Sequence, residues 1–264
     1  MDEIAVLNNL LTLDGIDNYR NTDEYYKDGD KAVPRVSEIL KFCSNQEGLI
    51  NWAASIGYGK MKAVREKATT VGTRVHNMIE HYVTTGQDAD MPPLRFDYEQ
   101  EVITSYENFK QWLSAVQSRY GAVETIAIEK VLTCPWYGGT TDWIVKINGA
   151  NYIADFKTSK KIDTNYLVQA AAYMWIINNG YAPDLPHIDG IGIIRVPKYG
   201  NGFEDIFLNE FNPVQNQMIV QYQQAFLSFL NAWYRNININ FNYKLYKRSY
   251  ERDQVLGGTV DEIE

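Results

Sequence analysis

The sequence is short of cysteine, histidine and net positive charge, and each shortage narrows its chemistry. Its two cysteines, Cys43 and Cys134, have no metal-ligand spacing. That argues against a disulfide framework and against a cysteine-ligated zinc or iron–sulfur site, and fits a reducing compartment. No run of 18 apolar residues occurs, and no basic segment followed by an apolar one opens the chain. Neither a membrane span nor a signal peptide is expected, and a cytoplasmic location is. With 25 basic against 33 acidic residues the net charge is −8, which disfavours a large surface that coats nucleic acid by charge alone. There is no internal repeat and no low-complexity tract.

What is present suits a globular protein able to bury a substantial core: 45% hydrophobic and 22% charged residues over 264 positions. Residues 1–32 are polar, with an Asp-Gly-Asp turn at 28–30, and read as an irregular N-terminal arm. A helical part is expected over 33–121. It begins with short helices after Ser37 and from Glu47 to Ile56, followed by a longer helical region reaching Val83 in which Thr73 is a candidate cap. An amphipathic helix from Tyr98 to Tyr120 then carries Val102, Tyr106, Phe109, Trp112, Leu113 and Val116, and stops at Gly121. The sheet core, 122–235, is expected to hold strands at 123–131, 141–147 and 151–157, then a helix over 163–178. Strands at 188–196 and 203–210 follow, and Pro213 opens a helix ending near Trp233. Residues 236–264 read as a polar tail. The fold class is therefore α/β of the mixed α+β kind, a central mixed sheet flanked by helices with a helical region before the strands.

The most informative stretch is Asp142-Trp143-Ile144-Val145-Lys146-Ile147, Asn148-Gly149, Ala150 to Lys157. Asn-Gly between two apolar-rich runs is a strong hairpin signal, because both residues tolerate positive φ. A two-residue loop sets Ile147 opposite Ala150 and, five steps further, Asp142 opposite Asp155. A three-residue loop would send the acids to opposite faces; a four-residue loop would keep them together. Alternation also puts Lys157 on the face of Asp155 and sends Trp143, Val145, Tyr152, Ala154 and Phe156 to an apolar face that packs on helices. Like charges roughly 5 Å apart across a strand pair are destabilising, so the acid pair makes sense if a cation sits between them.

Upstream, Gly72-Thr73-Arg74-Val75-His76 lies in a helical pattern, and Glu129 lies on the first strand. Downstream, Thr158-Ser159-Lys160 continues from Asp155-Phe156-Lys157, and Gln169 and Tyr173 sit four apart on a helix. Each piece alone has an ordinary structural explanation. In this order, together with Gly139-Thr140-Thr141-Asp142, they resemble the PD-(D/E)xK nuclease superfamily in its RecB-like exonuclease branch. Pro34-Arg35-Val36-Ser37-Glu38-Ile39-Leu40, with Trp52 and Gly57, is similar to the phage and mitochondrial genome-maintenance exonucleases of that branch.

The resemblance, which covers about residues 33–196, implies a restriction-endonuclease-like core within one nuclease domain over 33–235. It implies Mg²⁺ or Mn²⁺ held by Asp142, Asp155 and the Phe156 carbonyl with His76, and no iron–sulfur cluster. Lys157 would orient or activate the attacking water, and Glu129 matches a less uniformly catalytic acid. Gln169 and Tyr173 would position substrate or lysine, with Arg74, Thr158 and Lys160 on the substrate side. The implied activity is a divalent-metal-dependent deoxyribonuclease acting on single-stranded or free-ended DNA in replication, recombination or repair, with proteins of those pathways as partners. A structure-specific endonuclease and a non-catalytic nucleic-acid-binding protein are the alternatives.

Overall fold

The computed structural model describes residues 7–9, 25–29, 31–44 and 47–257. Its organising feature is the hairpin of β4 (Tyr137–Ile147) and β5 (Ala150–Lys157), joined at Asn148 and Gly149. Those residues have φ of 51° and 81°, the positive pair that a two-residue turn of this hand requires. Ile147 pairs with Ala150 and Trp143 with Ala154, so the two-residue register is the one present.

The hairpin lies inside a five-stranded sheet of order β3-β4-β5-β6-β7, where β3 is Val123–Cys134, β6 is Gly190–Arg195 and β7 is Glu204–Asn209. β5 and β6 run parallel while β6 and β7 are antiparallel, which makes the sheet mixed. The parallel step needs a crossover, supplied by helix Thr164–Asn178. The expected fold class, a mixed sheet flanked by helices with a helical region before the strands, is the one found.

Contacts group the chain into two compact units. One is drawn from Met1–Cys43, Thr133–Gly138 and Leu227–Glu264, the other from Ser44–Leu132 and Gly139–Phe226. In the first, β1 (Tyr25–Asp28) and β2 (Lys31–Pro34) pair antiparallel across Gly29, and α1 (Val36–Cys43) buries Val36, Ile39 and Leu40. The Tyr234 hydroxyl donates to the Trp136 carbonyl at 2.7 Å. A strand pair thus takes in 25–28 and 31–32 of the irregular arm expected over 1–32; most of 1–24 lies outside the described residues. Alternation there is only four residues long on each side, too short for sequence periodicity to reveal.

The second unit holds α2 (Glu47–Ile56), α3 (Tyr58–Thr85) and α4 (Phe96–Tyr120). Gly57, at φ 81°, separates α2 from α3, and Gly121, at φ 82°, ends α4. Thr73 does not cap a helix: α3 is continuous through it, because Val71, Val75 and Ile79 form one buried stripe. This stripe and the predicted face of α4 pack on Trp143, Val145, Tyr152, Ala154 and Phe156, the face assigned to helices by alternation. Phe109 meets Phe156 edge-on at 5.5 Å between centroids, and Trp143 stacks on Phe156 at 5.7 Å. Packing of this kind makes removal of one such ring cost about 3–5 kcal/mol.

The crossover helix α5 (Thr164–Asn178) is capped by Asp163, whose carboxylate accepts from Asn165 N at 2.9 Å. It packs on β5 and β6, and so lies over the hairpin face that bears Asp155 and Lys157. The last helix, α6 (Pro213–Gly257), opens at Pro213 as expected but continues well past Trp233. A polar composition made residues 236–257 read as a tail. No described helix is long and apolar enough to cross a membrane.

Candidate active site

The site forms at the end of the hairpin, and several elements supply its side chains. Asp142 comes from β4, Asp155 and Lys157 from β5, Glu129 from β3, His76 from α3, and Tyr166, Gln169 and Tyr173 from α5. Asp142 Oδ2 accepts from the Phe156 backbone N–H at 2.8 Å and lies 3.4 Å from His76 Nδ1. Ligand atoms of His76, Glu129 and Asp142 all fall within 4.8 Å of one another. The imidazole is steadied by an edge contact with Phe156 at 6.0 Å.

Asp155 is different. It is 4% exposed, and its Oδ2 lies 2.5 Å from Lys157 Nζ. A carboxylate can accept from several donors or meet a cation besides, so this one ammonium leaves Asp155 capacity for another partner. Lys157 is held on its far side by Gln169 Oε1 at 3.5 Å and by the Tyr166 ring at 4.7 Å. Gln169 Nε2 in turn donates to the Tyr173 hydroxyl at 3.3 Å.

Gly139 explains part of this. A Cβ built there would lie 2.5 Å from the Tyr173 ring, so the bare backbone of β4 is what lets α5 approach closely enough to hand Gln169 to Lys157. Gly139 sits within β4, which starts ahead of the strand expected at 141–147.

The electrostatics reflect this crowding. Burial pushes Asp155 up to about 6, with the Lys157 ammonium opposing and the Asp142 charge adding. Burial would also raise Asp142, but the His76 hydrogen bond and the charges of His76 and Lys157 outweigh it and hold Asp142 below its usual range. Burial acts to lower His76, and Asp142 overcomes it, so the imidazole is raised. Glu129 is raised, first by burial and then by the Asp142 charge. Lys157 is likewise raised, because Asp155 and Asp142 outweigh desolvation.

The structure therefore brings together Glu129, His76, Asp142, Asp155, Lys157, Gln169 and Tyr173. Phe156 contributes its N–H to Asp142. Thr158 lies next to α3, where a Cβ at Gly72 would come within 3.8 Å of its hydroxyl. Lys160 lines two surface cavities beyond Lys157. Arg74 is directed elsewhere, donating to the Pro92 carbonyl at 2.9 Å. Tyr166 was not singled out by the sequence, although it stands one helical turn before Gln169 on the same stripe.

Glu129 holds φ of 46°, a left-handed backbone in a non-glycine residue. That conformation costs of order 1–3 kcal/mol and persists only where the surroundings impose it. Here it accompanies a carboxylate turned toward His76 and Asp142. Two carboxylates and an imidazole, with the buried Asp155 carboxylate nearby, form a donor set suited to Mg²⁺ and, through the imidazole, to Mn²⁺.

No protein-family model and no curated protein matches the chain. Among solved structures it is similar to one titled "Crystal structure of SSO0001", at 11% identity over 85% of this chain and 86% of that chain, with a TM-score of 0.33. A likeness of that size says nothing about function.

Proposed function

We propose that this chain is a divalent-metal-dependent deoxyribonuclease of the PD-(D/E)xK, RecB-like type, acting on free-ended single-stranded DNA. The observation that carries the reading is the hairpin end, where buried Asp155 is paired with Lys157 while Asp142 faces His76 and Glu129. His76, Glu129 and Asp142 would hold Mg²⁺ or Mn²⁺, with Asp155 completing the set. A bound divalent ion supplies Lewis-acid stabilisation of charge on phosphate oxygens and a lower pKa for coordinated water.

The chain's own groups do the rest. Lys157, which the Asp155 and Asp142 charges hold up against burial, would place a positive charge beside the phosphate. Gln169, anchored by Tyr173, and the Tyr166 ring fix where that charge points. Asp155 sets it from the other side.

The test is digestion of end-labelled linear and covalently closed single-stranded DNA with Mg²⁺, Mn²⁺ or EDTA. Loss of linear DNA with either metal, none in EDTA, and intact circles are expected. Efficient cutting of circles would make the protein an endonuclease of the same site, and DNA binding without metal-dependent cleavage would make it a binding protein.

A further inference from the structure

Two cavities open side by side just past Lys157. The first, about 760 Å³, is bounded by Thr158, Ser159 and Lys160, by Val64 of α3, and by Lys198 and Tyr199 from the β6–β7 connection. The second, about 640 Å³, is bounded by Trp52, Lys60 and Lys160 with apolar side chains of α2 and α3. Val64 and Lys160 line both, so the two cavities adjoin and together make a track. It begins at the site, because Arg195, another lining residue, is the cross-strand neighbour of Lys157.

Its charges are unevenly committed. Lys67 is tied to Glu101 at 2.7 Å and Asp97 at 3.2 Å, and Arg195 to Glu204 at 2.7 Å. Glu101 also takes the Tyr199 hydroxyl, so the one acid lining the first cavity is already engaged. Lys198 donates to the Ala68 carbonyl at 3.2 Å and is pulled down by burial. Among the described residues, neither it nor Lys160 has a carboxylate within ion-pair distance. Between these cations stand apolar groups left open to solvent: Val64 is 49% and Tyr199 69% exposed, and Trp52 is half-buried.

Accessible rings set among lysines free of carboxylate partners suit a single strand, whose bases stack while its phosphates meet ammonium groups. A duplex keeps its bases turned inward and has no use for the rings. We propose that this track holds two consecutive nucleotides of a single strand beside the scissile phosphate. One base lies on Tyr199 and the next on Trp52, with Lys160 between them and Lys198 and Lys60 on the flanking phosphates. The assignment rests on the nuclease reading and specifies how that site takes its substrate.

The experiment measures binding of a fluorescein-labelled oligo(dT) in EDTA across a salt series, and steady-state cleavage of the same oligonucleotide with Mn²⁺. Tyr199→Ala and Trp52→Ala should each weaken binding about tenfold, as loss of one stacked base does, while Tyr199→Phe and Trp52→Phe stay near wild type. Lys60→Gln and Lys198→Gln should each flatten the slope of log K against log salt by about 0.7. In cleavage the alanine variants should raise KM with kcat nearly unchanged. Wild-type oligonucleotide affinity in the double alanine variant overturns the proposal, as does a weakened affinity that merely tracks a change in oligomeric state by ultracentrifugation. Because binding is read without metal, the two ideas can fail separately. A track that binds but never cuts removes the nuclease reading alone, and cleavage with an unaffected double variant removes the track alone.

Discussion

At the residue scale, Asp155 decides what the site holds. Its folded pKa of about 6 lies above its ordinary 3.8, so the protonated form contributes stability that is complete below about pH 4 and lost as pH rises through 6. His76, also raised, contributes in the same direction. A divalent ion must displace both protons. Apparent Mn²⁺ affinity should therefore climb from pH 5 to pH 8 and then level off, with a larger metal-induced rise in Tm at pH 8 than at pH 5. Calorimetric titration across that range checks the sign; tighter binding at pH 5 would contradict it. Asp142, Asp155 and Lys157 were legible as a group because strand alternation and an Asn-Gly turn fix which side chains share a face. The role of Glu129 was not, because its position beside His76 and Asp142 depends on a left-handed backbone that no local pattern announces.

At the element scale, the close approach of α5 to β4 is the device that assembles the lysine's support. Gly139→Ala should drive a methyl into the Tyr173 ring, costing about 1–3 kcal/mol by overpacking. The Gly139→Ala, Tyr173→Ala pair should be less destabilised than the sum of its parts, a positive coupling readable in chemical denaturation. Strict additivity would show that the two do not meet. The helices of the second unit were readable from their apolar stripes, and Gly57 and Gly121 marked ends that the structure places at the same residues. Two elements were not. The β1–β2 pair is too short for periodicity to show, and the apolar residues of 237–245 alternate with asparagine and lysine at a period of two, which does not announce a helix. β4 starts at Tyr137, before the strand expected from 141, so Gly138 and Gly139 both lie within it, where what matters at Gly139 is the missing side chain.

At the scale of the whole molecule, the net charge of −8 and a DNA substrate are compatible because charge is distributed locally. Lys160 and Lys198 stand beside the site with no carboxylate in ion-pair reach among the described residues, and a cation held by the carboxylates would offset the rest. The central claim is that the hairpin end is a metal-dependent phosphodiesterase centre in which Lys157 takes part directly. Its most direct test is the initial rate of single-stranded DNA hydrolysis in saturating Mn²⁺ for wild type and Lys157→Met, with folding verified by circular dichroism. The wild type should be active and silenced by EDTA, and the variant should lose about 10²- to 10³-fold in kcat. A folded Lys157→Met protein that cuts at the wild-type rate, or a wild type equally active in EDTA, would contradict it.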